Sequence, residues 1–103
     1  MVYLGNAFSL QMLDISQATD IRVTPVDVSV IAKTDFTSII GHPDTATVVS
    51  SLLKKDVPCN RISVQLLKGD ILFVAQIVGG RLPAGATTLP DGFKLQFLKV
   101  TIL

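Results

Sequence analysis

Hydrophobic and polar positions along this chain change period several times, and each change predicts an element. Val2 to Leu4 is a short apolar run that predicts a buried strand, followed by a turn at Gly5 and Asn6 and a short helix capped by Ser9. Leu10 and Leu13 lie three apart and are expected to face the core, with Met12 on the flank. Ile21 to Val30 alternates around Pro25, the pattern of an edge or bent strand, because proline donates no ladder hydrogen bond. From Pro43 the period becomes helical: Val48, Val49, Leu52 and Leu53 form an apolar stripe, and Ser50, Ser51, Lys54 and Lys55 fill the other side. That helix is expected to end near Lys54 to Asp56.

The second half reads as β structure. Ile62 to Leu67 and Ile71 to Val78 are β-rich runs separated by Lys68-Gly-Asp70, which predicts a hairpin, and Leu95 to Leu103 alternates again to close the sheet. Between them, Gly79 to Gly92 holds four glycines and two prolines, a long loop of the kind that in compact domains is functional or mobile. The fold class is therefore α/β (α+β). One domain spans residues 1–103, with a mixed, mostly antiparallel sheet and two or three short helices. Alternation in the strands leaves one sheet face without helices and open to a partner.

Composition narrows the function. Apolar residues make up 49% and charged residues 17%, too much apolar surface for a disordered chain and enough to place some of it in a subunit interface. The apolar runs are short and the N-terminus lacks both the basic flank and the apolar block of a signal peptide, so no membrane partner and a cytoplasmic location are expected. A net charge of +1 with dispersed Lys and Arg excludes a basic stripe for long DNA or RNA but leaves room for a small anion. The lone Cys59 reads as a small semi-buried side chain. With one His and scattered acids there is no metal-ligand spacing and no cofactor is expected.

The chemistry points to His42, the only histidine. Gly41 breaks what precedes it, Pro43 suits the first helical position and Asp44 adds first-turn negative charge, so His42 falls at the N-cap. Helix N-termini bind phosphates through N–H groups that lack intrahelical partners. An imidazole there either serves as a proton donor or simply occupies the helix start, and the segment alone leaves both open. Arg61 and Arg81 are candidate phosphate clamps, since a guanidinium meets a phosphate with two hydrogen bonds; solvated surface arginines are the alternative.

The opening Tyr3-Leu-Gly-Asn-Ala-Phe-Ser-Leu-Gln-Met-Leu13, the segment Ile40-Gly-His-Pro-Asp-Thr-Ala46, the pair Asn60-Arg61, and Gln76 followed by Arg81-Leu82 are distributed over almost the whole chain. In that order and spacing they resemble the viral anti-CRISPR ring nucleases of type III systems. The resemblance implies a homodimer that binds cyclic tetra-adenylate and cuts it without metal to linear di-adenylate, switching off type III CRISPR signalling. It implies that His42 is the general acid, assisted by Arg81, and that Asn6, Ser9, Gln11, Thr45, Arg61 and Gln76 line the ligand pocket or orient its phosphates. Gln11 stands where asparagine is frequent, Asp44 where a small hydroxyl is frequent, and Ala84 where relatives carry a glutamate. Two other classes fit the same residues: a protein that binds a cyclic oligoadenylate without cutting it, and a dimeric viral interaction protein. Asn6 in a turn, Ser9 as a cap, and Gln11 or Gln76 on a solvated face are the ordinary alternatives for those side chains.

Overall fold

The computed structural model describes Met1–Leu103. Five strands form one mixed sheet: β1 (Val2–Gly5), β2 (Ile21–Pro25), β3 (Thr37–Ser38), β4 (Ile71–Val78) and β5 (Lys94–Ile102), in the order β2-β5-β4-β1-β3. The antiparallel β4/β5 and β2/β5 pairings run long, from Ile71 opposite Thr101 to Val78 opposite Lys94 and from Ile21 opposite Ile102 to Pro25 opposite Leu98. The parallel pairings of β1 with β4 and β3 are shorter. The sheet is thus mostly antiparallel, as the alternation predicts. Pro25 lies on the edge strand β2, where its missing donor breaks no central ladder.

Two helices cover one face. α1 (Val28–Ala32) and α2 (Pro43–Leu53) bury Ile31, Ala46, Val49 and Leu53 against Leu4, Phe73 and Ala75 of the sheet, with Ile40 and Val57 completing that core. Burying a Val or Leu side chain contributes about 1.5–3 kcal/mol, so α2 is held by its apolar stripe rather than by helix propensity. Its C-cap, Lys54, adopts the left-handed conformation (φ 54°) and donates its N–H to the Ser50 carbonyl. Leu52, expected on the apolar stripe, is exposed.

On the opposite face, Leu72, Val74 and Val100 pack with Ile39 and Leu66. Coil covers this half: the Leu66 N–H donates to the Met12 carbonyl at 2.7 Å, tying the segment before β4 to the Phe8–Leu13 segment. Beyond that cover, Val78 stands exposed beside Gln76 and Gln96, and Val23 and Pro25 are exposed along the edge strand β2. The open face foreseen from the alternation therefore exists, but only over part of the sheet.

Four expectations are corrected. Ile21 to Val30 is not one strand: β2 stops at Pro25, and Asp27, accepting the Ser29 N–H at 3.3 Å, starts α1. Ile62 to Leu67 is not a strand, because both edges of β4 are already occupied by β1 and β5. The Lys68-Gly-Asp70 turn is real, with Gly69 at φ 98° and the Asp70 N–H donating to the Leu67 carbonyl at 2.9 Å. It delivers the chain from the face opposite the helices into β4 rather than closing a hairpin. Leu10 is 66% exposed, because the helix at Ser9 is a single 3₁₀ turn (Leu10–Met12) from which Met12 packs on the core and the following Leu13 is buried. Cys59 is exposed rather than semi-buried. No helix is long and apolar enough to cross a membrane.

Candidate functional site

Strands β1, β3 and β4 run parallel, so the chain leaves all three at the same edge of the sheet. Ligand sites of parallel sheets lie at such carboxyl ends. Here the edge carries a cavity of about 540 Å³, lined by Asn6, His42, Asp44, Thr45, Gln76 and Arg81 together with Ala75, Ile77, Gly80, Leu82 and Ala84. That volume is within the range of small-molecule sites, ~300–1,000 Å³.

Each polar side chain arrives by its own route. Asn6 follows β1, and its Oδ1 accepts the Gly41 N–H at 3.4 Å, holding the backbone next to His42. His42 is the N-cap of α2, with extended φ −125° and ψ 120°, and its side chain makes no capping hydrogen bond. His42 is exposed and lines the cavity. Its carbonyl accepts the Ala46 N–H at 3.0 Å, the first bond of the helix. Thr45 is buried in the first turn of α2, and Gln76 is exposed on β4 two residues before the strand ends. Arg81 follows the Gly79-Gly80 pair, whose φ values of 120° and 130° let the chain turn off β4 into the long loop. The lining thus presents a guanidinium, an imidazole and the positive end of α2, with Asp44 as its one carboxylate.

Five of the eight site residues inferred from the sequence, His42, Arg81, Asn6, Thr45 and Gln76, meet in this cavity. Ser9, Gln11 and Arg61 are not among its lining residues. Ser9 caps the 3₁₀ turn, its Oγ accepting the Gln11 N–H at 3.2 Å, so the ordinary reading of Ser9 is the observed one in this chain. Arg61 packs its aliphatic stem on Gly41: a Cβ at Gly41 would lie 3.0 Å from Arg61 Cγ, so this glycine admits the arginine one residue from His42. Asn60 anchors that approach, donating Nδ2 to the Ser38 carbonyl at 2.9 Å and its N–H to the Ile40 carbonyl at 2.8 Å.

Asp44 is the one polar side chain of the lining that the sequence does not mark as a site. Its Oδ2 accepts the Gly85 N–H at 3.2 Å, a contact across the long loop that no local spacing announces. All eight acidic residues of the chain are aspartates, so no glutamate elsewhere in the sequence takes the place vacated at Ala84. No group of three or more His, Cys or Asp side chains is placed to hold a metal ion.

These features define a small α+β domain with a polar, anion-compatible cavity at the carboxyl edge of a mixed sheet. The model of the STIV B116-like family matches residues 2–94, and the chain belongs to that family. Among solved structures it is similar to B116 of Sulfolobus turreted icosahedral virus, with 25% identity and a TM-score of 0.77 over 97% of each chain. The chain is therefore a relative of a viral protein. A search of the curated proteins finds no match.

Proposed function

We propose that this protein is a homodimeric, metal-independent ring nuclease that binds cyclic tetra-adenylate and cleaves it to linear di-adenylate, silencing type III CRISPR signalling in the host cytoplasm. The observation that carries the reading is the convergence of His42, Arg81, Asn6, Thr45 and Gln76, from four separate stretches of chain, on one cavity. The resemblance of the same residues to the ring nucleases supplies the ligand.

In the proposed step a ribose 2′-hydroxyl attacks the adjacent phosphorus and releases its proton to solvent, the bond to the departing 5′-oxygen breaks, and a 2′,3′-cyclic phosphate forms. His42 as imidazolium donates its proton to that 5′-oxygen, a contribution of about 10²- to 10⁴-fold. Arg81 and the first turn of α2 meet the phosphate oxygens, and holding the ribose in line supplies much of the rest. A single cavity of about 540 Å³ is small for four nucleotides. A two-fold dimer offers it twice to a ligand that itself has a two-fold axis, giving two equivalent cuts. Exposed Val78, Gln76 and Gln96 lie at the cavity end of β4 and β5 and offer a second copy a place beside it.

Ala84 in the cavity lining favours a second reading, sequestration of the ring without cleavage. Incubation with cyclic tetra-adenylate in EDTA separates the two. Di-adenylate ending in a 2′,3′-cyclic phosphate, reduced at least a hundredfold in His42→Ala, is the expected result; intact ring recovered from a tight complex selects sequestration. Absence of binding by the purified protein removes both and leaves a viral interaction protein.

A further inference from the structure

Resting on the nucleotide-binding reading above, we propose that Asp44 is a positioning residue: its carboxylate fastens the loop between Gly79 and Gly92 to α2 and thereby sets where Arg81 meets the ligand. The loop leaves β4 at Gly79, carries Arg81, Leu82 and Ala84 past the cavity, and returns to β5. Its internal hydrogen bonds are two tight turns, the Ala86 N–H to the Pro83 carbonyl and the Phe93 N–H to the Pro90 carbonyl, both at 3.1 Å. Neither reaches another element. Two contacts join the loop to α2: the Gly85 N–H to Asp44 Oδ2 at 3.2 Å and Ser51 Oγ to the Thr87 carbonyl at 3.5 Å.

Asp44 and Ser51 are seven residues apart, two helical turns on one face, so the loop lies along α2 over roughly 10 Å. The Ser51 contact is at the outer limit of a hydrogen bond. The Asp44 contact is shorter, has a carboxyl oxygen as acceptor, and sits beside the cavity end of the helix, four residues from Arg81 along the loop. Without it, the Arg81 end of a segment with glycines at 79, 80 and 85 has no hydrogen bond to the helix that carries His42. Arg81 then has to be ordered by the ligand itself, which lowers affinity. The bland alternative is that Asp44 only complements the α2 dipole in its first turn.

Two substitutions separate these roles. Asp44→Ala removes both the charge and the hydrogen-bond acceptor; Asp44→Asn removes the charge and retains an acceptor. With cyclic tetra-adenylate as probe, Asp44→Ala is expected to raise Kd and KM about tenfold, the shift that one hydrogen bond of ordinary net strength supports, with kcat less affected. Asp44→Asn is expected to recover most of that loss. In an Arg81→Ala background, Asp44→Ala should have little left to remove, because the two act through one segment. Equal losses in kcat for Ala and Asn overturn the proposal in favour of direct chemistry by the carboxylate. Additive losses with Arg81→Ala, or binding equal to wild type, overturn it outright.

A ligand-free measurement keeps the test independent of the ring-nuclease reading. The amide ¹⁵N heteronuclear NOE of Gly85 and its neighbours should fall in Asp44→Ala and stay near wild type in Asp44→Asn. An unchanged NOE in Asp44→Ala overturns the tether even if no nucleotide binds. A fall in NOE with no nucleotide binding retains the tether and rejects the ligand.

Discussion

Replacing His42 with serine is expected to stabilise the protein while abolishing the proposed cleavage. Ser9 accepts the Gln11 N–H at the 3₁₀ turn and Asp27 accepts the Ser29 N–H at α1, at 3.2 and 3.3 Å. The longest helix, α2, has no side-chain cap, although the His42 backbone at φ −125° and ψ 120° already has the extended geometry a capping residue needs. Pro43 at the first helical position has no N–H, so a serine hydroxyl at 42 would accept from Asp44 or Thr45. A Ser, Thr or Asp cap is worth ~1 kcal/mol over a non-capping residue, and part of that gain, about 0.5–1 kcal/mol, is expected here.

For a domain of this length 1 kcal/mol corresponds to about 4–8 °C, so thermal unfolding followed by circular dichroism should show His42→Ser melting about 2–8 °C above wild type. The same variant should lose at least a hundredfold in ring cleavage. Stability conceded at one position and recovered by a conventional residue is the signature of a functional site. A melting temperature equal to or below wild type would mean that the imidazole already contributes to folding. A catalytic reason for histidine at this position would then have no support from stability.

Three further outcomes follow from the geometry. Leu4→Ala, at a fully buried position of β1, should cost about 2–5 kcal/mol in urea unfolding, whereas Leu10→Ala, two-thirds exposed, should stay within about 0.5 kcal/mol; equal effects would restore Leu10 to the core. The Asp70 carboxyl is held below its ordinary value of 3.8, first by the Leu67 N–H and then by the N-terminal ammonium at 3.0 Å, so its stabilisation is complete above that value and is lost as pH falls through the lowered one. Asp70→Asn should therefore flatten the acid limb of the pH–stability curve below about pH 4 and leave its slope at neutral pH unchanged; a changed neutral slope would refute the linkage. Exposed Cys59 should take up one equivalent of iodoacetamide in the folded protein with no change in melting temperature, and resistance to labelling would place it in an interface.

The elements legible in the sequence are those whose period is long or whose cap is explicit. α2 announces itself through Pro43, Asp44 and a stripe of valines and leucines, and β4 and β5 through eight and nine residues of β-rich chain. α1 is hidden because Val26, Val28 and Val30 alternate with Asp27 and Ser29, and only Ile31 is fully buried. A five-residue helix gives the helical period no room to appear. The false strand at Ile62 to Leu67 fails for a reason no local pattern contains: its intended partner has no free edge. At the site, His42 and Arg81 were visible as chemistry, but Asp44 was not, because its role depends on a hydrogen bond to a residue 41 positions away.

The convergence at the cavity is itself a consequence of strand direction. An antiparallel neighbour leaves the sheet at the opposite edge, so a hairpin-built sheet would scatter the ends of successive strands to both sides. Here β1 leads to Asn6, β3 leads through Ile39 and Ile40 to Gly41 and His42, and β4 leads through Gln76 to Arg81. All three exits share one edge only because β1 is parallel to both of its neighbours. The Gly41 N–H to Asn6 Oδ1 contact stitches two of these exits together, and the Gly85 N–H to Asp44 Oδ2 contact stitches in the third. The first holds the backbone beside His42, and the second ties the loop that carries Arg81 to the helix that His42 begins. The short parallel strands, though they contribute the fewest paired residues to the sheet, are therefore the part of the fold on which the proposed chemistry depends.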